Sequence, residues 1–189
     1  MRIYIVRHGK ATDAPEPTKR FPRPEGYGPD FDRPLTTRGE AQARFLAEYI
    51  RGAEQRPELI LTSRYPRACQ TAETIHGMWQ KAALETAPEL EVDHPVSEAL
   101  GLIDRHRGAQ AIMLVGHNPQ LGELLSVLCA GLPPEQLVLK TGELIVVDIR
   151  PAQAVGSGKV IARLRLGDEP PVSARAGLTK TIDGSRQHV

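Results

Sequence analysis

A chain of 189 residues is close to the size of one ordinary domain and long enough to bury a core without disulfides or a structural metal. Its 24 Lys and Arg balance 23 Asp and Glu, so a formal charge of +1 supplies no bulk field for nucleic acid or an anionic membrane, and any anion chemistry must be local. Two cysteines, Cys69 and Cys129, are too few for a disulfide scaffold or a Cys-rich zinc site, and their place in apolar helical patterns suits buried thiols of a reducing compartment. The first apolar run, Ile3 to Val6, is too short for a secretory h-region, and no run approaches membrane-spanning length. A cytoplasmic protein is therefore expected.

Residues 2 to 6 alternate β-branched and aromatic types and end at Arg7-His8-Gly9, which predicts a short, central, buried strand with charge at its C-terminal end. From Lys10 to Pro34, six prolines with Gly26 and Gly28 deny regular structure to a long loop. Thr37-Arg38-Gly39-Glu40 has capping-box spacing, and Ala41, Phe45 and Tyr49 predict one face of a helix reaching about residue 51. Glu58 to Thr62 reads as a strand. Ser63 then suits an N-cap and Pro66 a first helical turn, with Ala68, Ala72, Ile75 and Trp79 on one face and Arg67 in the opening turn. Residues 84 to 91 are ambiguous, and Ser97 to Arg107 reads as a helix. Ala111 to Val115 is an apolar strand running into Gly116-His117-Asn118-Pro119, and the helix after it buries Leu121, Leu124, Leu125 and Leu128 until Gly131 and Pro133-Pro134 stop it. Leu144 to Ile149 and Val160 to Leu166 are two further strands, joined across Gly156-Ser157-Gly158.

Alternating strands and helices predict an α/β domain over residues 1–166, a three-layer α/β/α sandwich with a mostly parallel sheet, followed by a polar tail over 167–189. Ligands of such sheets gather at the C-terminal strand ends. Three strands end at Arg7-His8, at Thr62-Ser63 leading to Arg67, and at Gly116-His117, so two histidines and two arginines meet at one edge. Two planar guanidinium forks can hold a phosphoryl group from both sides. A neutral imidazole in line with the phosphorus, for which His8 is the candidate, can then act as nucleophile. His117, just ahead of a helix, would meet the positive end of the macrodipole, which lowers its pKa and favours a bound anion.

Arg7-His8-Gly9 after an N-terminal strand, Ser63 with Arg67-Ala68 and Gln70-Thr71-Ala72, and Val115-Gly116-His117-Asn118 together resemble the histidine phosphatase (phosphoglycerate mutase-like) superfamily over residues 1 to about 150. The resemblance implies that family's α/β fold, a phosphorylated His8, a phosphate pocket of Arg7, Arg67 and His117, and neither metal nor cofactor. The short chain, Arg7-His8-Gly9-Lys10-Ala11, Arg33-Pro34-Leu35-Thr36 and Pro88-Glu89-Leu90 are similar to the SixA branch of protein phosphohistidine phosphatases. That likeness adds Arg33 as a further phosphate contact; Asn118, beside His117 in the superfamily motif, is the other candidate for binding substrate. Many superfamily members place a Glu after the mid-chain strand as proton donor; Glu91 is the candidate general acid here, with Asp93 beside it. The loop before Arg33 is longer and richer in proline than in compact members.

Simpler readings stand beside these. His8 and His117 could be core histidines or metal ligands, although two histidines without a carboxylate or cysteine cluster make a poor zinc set. Arg33, Glu91 and Asp93 could be surface charges, and His76, His94, His106 and His188 solvated ones. The expected substrate is a phosphorylated protein carrying phosphohistidine; the alternatives are a small phosphomonoester and a non-catalytic phosphate-binding module. A long lid bearing basic residues such as Lys19, Arg20 and Arg23 would favour the small substrate, and an open shallow pocket the protein. Phe21, Tyr27 and Phe31 could fold over the pocket or merely anchor the loop.

Overall fold

Four side chains in a row, Ile3 to Val6, are all buried, as a strand covered on both faces requires. In the computed structural model, which describes residues 1–167, they form β1 (Arg2–Arg7). Residues 168–189, with the expected tail beyond Gly167 and His188, lie outside the described residues. Three strands run parallel to β1: β2 (Leu59–Thr62), β3 (Ala83–Thr86) and β4 (Ala111–Gly116). β5 (Glu143–Asp148) and β6 (Lys159–Arg165) extend the sheet antiparallel, giving the order β3-β2-β4-β1-β5-β6.

Because side chains alternate along a strand, each strand feeds two cores. Tyr4, Val6, Ile60, Met113 and Val115 pack against α1 (Thr37–Gly52) and α2 (Pro66–Met78) through Leu46, Ile50, Ala68, Ala72 and Ile75. Ile3, Ile5, Leu61, Ile112 and Leu114 pack on the opposite face with α3 (Val96–Arg105) and α4 (Gln120–Leu128) through Leu102, Ile103, Leu121, Leu124 and Leu128. The result is the expected three-layer α/β/α arrangement with a mostly parallel sheet. Among the described residues no helix is long and apolar enough to cross a membrane.

Several local expectations shift. The cap of α1 is Thr36 rather than Thr37: its side chain accepts the Gly39 N–H at 3.1 Å, after an extended entry fixed by an Ala11–Leu35 bridge. The stripe α1 buries is Gln42, Ala43, Leu46, Ala47 and Ile50, with Ala41, Phe45 and Tyr49 only half-buried beside it, because the small alanines let the helix approach the sheet closely. The N-cap of α2 is Tyr65, with no side-chain cap bond, so Ser63 is released for another partner. Residues 84 to 91 resolve into β3 and a 3-10 turn at Pro88–Leu90. The prolines read as a stop instead open a short helix, α5 (Pro134–Leu137), where a first-turn proline sacrifices no hydrogen bond.

The turn after β1 is pressed against the start of α1. A Cβ placed on Gly9 would lie 2.6 Å from the Gly39 carbonyl oxygen and 2.9 Å from its Cα, both backbone atoms that cannot rotate away. Gly9→Ala is expected to cost about 1–3 kcal/mol of stability, read as a lower urea midpoint; an unchanged midpoint would mean that the turn can move away from α1.

Candidate active site

β4 lies between β1 and β2, so the C-terminal ends of the three strands sit side by side where the chain order switches, the usual crevice for ligands in open α/β sheets. The His8 N–H donates to the Gly116 carbonyl at 3.2 Å and the Ser63 N–H to the Val115 carbonyl at 3.0 Å, which locks the segments after β1 and β2 onto β4. The rings of His8 and His117 are thereby brought to 4.9 Å, centroid to centroid. Arg67, in the first turn of α2, is buried, and Arg7 closes β1 half-buried; the charges of both reach both imidazoles.

The hydrogen bonds fix the protonation of His8. Its Nδ1 lies 2.7 Å from the Gly9 carbonyl oxygen, which can only accept, so Nδ1 carries the hydrogen and Nε2 the lone pair. Burial, and then the Arg67 charge, push its pKa from 6.5 down to about 3, although the Gly9 bond opposes this. The imidazole is therefore neutral near pH 7.

His117 Nε2 lies 2.9 Å from Ser63 Oγ, and that oxygen already accepts the Tyr65 N–H at 3.2 Å. With the Ser63 proton given to Nε2, Nδ1 carries the ring hydrogen, and this buried nitrogen has no partner. Burial pushes the His117 pKa well down, with His8, Arg67 and Arg7 adding to it. The helix dipole is thus not the leading cause, since α4 begins only at Gln120.

Arg7 donates through Nη1 to the Leu139 carbonyl at 2.7 Å, while its Nε is buried without a partner. The spare Arg7 Nε–H and the unpartnered His117 Nδ1, with the Arg67 guanidinium beside them, suit an oxyanion. Burial lowers the pKa of both Arg7 and Arg67, which stay cationic all the same.

The remaining expected residues divide. Arg33 donates through Nε to the Thr12 carbonyl at 2.6 Å and through Nη1 to Asp30 at 2.7 Å, and its charge is felt by His8 and Arg67. Asn118 spends its Nδ2 on the Leu139 carbonyl at 2.8 Å, the same acceptor that holds Arg7, so its donors are directed at that loop. Glu91 is buried, accepts the Tyr27 hydroxyl at 2.5 Å and pairs with Arg64, whose Nη2 also donates to the Tyr27 oxygen at 2.6 Å. Asp93 is exposed and holds only an unusual backbone angle, φ 67°. Among the described residues no group of three or more His, Cys, Asp or Glu side chains is placed to hold a metal ion.

Other residues at the site carried no such reading in the sequence. Ser63 orients His117 instead of capping α2. Thr71 Oγ accepts the Gly9 N–H at 3.1 Å and donates to the Arg67 carbonyl at 2.7 Å. The Tyr65 ring lies 5.1 Å from that of His117 and 4.6 Å from the Arg67 guanidinium carbon. Tyr27 and Phe31 pack on Tyr65, so these loop aromatics do fold over the edge of the site, whereas Phe21 meets Arg20 away from it. Asp30 contacts Arg67 and Arg33 together.

Residues 3–100 match the model of the histidine phosphatase superfamily, branch 1. Phosphohistidine phosphatase SixA of Escherichia coli K12 is 30% identical over 142 residues, 71% of this chain and 78% of that protein. An uncharacterized Picosynechococcus protein is 33% identical over 153 residues, 77% of this chain and 83% of that one. The crystal structure of a candidate phosphohistidine phosphatase SixA from Agrobacterium tumefaciens superposes with a TM-score of 0.68 at 27% identity, covering 86% of this chain and 96% of that one.

The depressed pKa of His8 links folding to pH. Below pH 6.5 the unfolded chain takes up a proton that the folded chain refuses until about pH 3, so this stability is present above 6.5 and drains as pH falls through that window. The slope approaches about 1.4 kcal/mol per pH unit. Wild-type stability in urea should therefore fall more steeply with acid than that of His8→Asn; parallel curves would mean that His8 titrates normally.

Proposed function

The chain belongs to the histidine phosphatase superfamily, and from that premise we propose that it removes the phosphoryl group from phosphohistidine on a partner protein by way of a phosphorylated His8. Family membership and the SixA relative support phosphatase activity in general. One observation carries the finer reading: a buried, neutral His8 keeps its Nε2 lone pair because Nδ1 is committed to the Gly9 carbonyl, and it does so beside Arg67 and Arg7.

In the proposed first step, His8 Nε2 attacks phosphorus and the bond from phosphorus to the substrate nitrogen breaks, the substrate ring leaving as neutral imidazole because solvent has already protonated its other nitrogen. Arg67, Arg7 and the His117 Nδ1–H neutralise charge on the non-bridging oxygens, with Arg33 at the rim. In the second step, water attacks phosphorus, the bond to His8 breaks, and phosphate leaves with His8 restored. Imidazole departs readily, so acid assistance matters little; a poorer leaving group would call on Glu91, which would first have to leave Arg64 and take up a proton. The mechanism assigns its charge neutralisation to side chains and calls on no metal or cofactor. The cytoplasm, where the buried thiols Cys69 and Cys129 stay reduced, is the compartment that this reading implies.

A small phosphomonoester is the second reading, and the loop favours it: residues 13 to 33 lie across the edge of the site as a lid. Yet two of the lid's three named basic residues turn elsewhere, Arg20 to Glu73 at 2.7 Å and Arg23 to Asp32 at 3.5 Å, which weakens the case for a sugar or nucleotide phosphate.

Incubation with a phosphorylated histidine phosphotransfer domain and, separately, with an aryl phosphate tests the reading. His8→Ala is expected to lose at least about 10⁴-fold in kcat, and Arg67→Ala and His117→Ala about 10²–10³-fold. Faster release from the phosphodomain supports the protein substrate, and faster release from the aryl phosphate supports the small one. Full turnover by His8→Ala would remove the nucleophile, and turnover of neither substrate would favour a binding module.

A further inference from the structure

Asp30 sits in a 3-10 turn, Pro29–Asp32, within the loop between β1 and α1. Its Oδ2 accepts from Arg67 Nη2 at 2.7 Å, its Oδ1 from Arg33 Nη1 at 2.7 Å, and its backbone carbonyl from Arg67 Nη1 at 2.7 Å. Both terminal nitrogens of the buried Arg67 guanidinium are thus taken by one residue. One carboxylate oxygen holds Nη2, where an oxyanion would otherwise bind, and the backbone carbonyl holds Nη1. Against its partial burial, Arg33 and Arg67 hold the Asp30 carboxyl below the usual carboxylate range.

The surrounding loop is fastened independently of that carboxylate. Phe31 is buried against Tyr65 at 5.0 Å and edge-on to Tyr27 at 5.3 Å, Tyr27 is tied to Glu91 and Arg64, and the Asp32 carbonyl accepts the Glu16 N–H at 2.8 Å. The Asp30 side chain itself remains 51% exposed, so it can rotate into water while these anchors stay in place.

We propose that Asp30 is a built-in competitor for the phosphate site: its carboxylate occupies Nη2 of Arg67 and Nη1 of Arg33, and an incoming phosphoryl group displaces it from both. This rests on the reading of Arg67 as a phosphate ligand. A doubly charged phosphoryl group wins the exchange, whereas a carboxylate or other weak anion does not. On the way out, return of Asp30 to Arg67 and Arg33 helps expel product phosphate.

Calorimetric titration of inorganic phosphate into the full chain decides the matter. Asp30→Ala, and Asp30→Asn as the variant of matching shape, should bind phosphate roughly fivefold or more tightly than wild type. Their thermal midpoints should fall, because the carboxylate's bonds to Arg67 and Arg33 are lost. Asp13→Ala removes the same charge from a fully exposed site 3.8 Å from Arg33 without touching Arg67, and should change affinity by less than about twofold. Unchanged or weaker binding in both Asp30 variants, while Arg67→Ala abolishes binding, overturns the competitor and leaves the phosphate site standing. Equal tightening in Asp13→Ala also overturns it, since the effect would then be a general field. Binding in neither wild type nor the Asp30 variants, by contrast, removes the phosphate site and the competitor with it.

Discussion

Two buried imidazoles 4.9 Å apart, beside guanidinium groups that stay charged at any working pH, cannot readily take up a second, charging proton. That electrostatic constraint governs the site. It keeps His8 a base with a free lone pair, and it makes His117 a neutral donor until negative charge arrives. The sheet supplies the means, because a parallel arrangement places the ends of β1, β2 and β4 together and buries them on both faces. Burial of the two rings between the layers is the first cause of both pKa shifts.

Around this centre, each charged or polar group is held by a neighbour with a different job. Gly9 sets the His8 tautomer, Ser63 the His117 orientation, and the Leu139 carbonyl the Arg7 fork, with Asn118 fastening the same carbonyl. The aromatic residues Tyr27, Phe31 and Tyr65 extend the apolar wall outward and bring an acidic loop residue to the arginines. The arginine cluster thus carries a negative charge of its own at its entrance, which sets it apart from a plain basic pocket.

Much of this was legible in the sequence where period and position decide. The continuous apolar runs of β1 and β4, the Leu121, Leu124, Leu125 and Leu128 stripe, and the strand-end placement of His8, Arg67 and His117 follow from patterns only a few residues long. Long-range competition was not legible. Ser63 offered a good cap locally, but the imidazole of His117, 54 positions away, was the stronger claim on its hydroxyl. The α1 face was misplaced because Phe45 and Tyr49 outweigh alanines in a hydrophobicity pattern, whereas close packing on a sheet favours Ala43 and Ala47. Nothing local marked Asp30 as a partner of Arg67, which lies 37 positions on in a helix; its other partner, Arg33, is only three residues away and reads as an ordinary surface pair.

The hydroxyl of Thr71 joins the turn that presents His8 to the helix that presents Arg67, accepting from one backbone and donating to the other. A single oxygen therefore acts as a strut between the segment that carries His8 and the helix that carries Arg67, so a displacement of one strains the seat of the other.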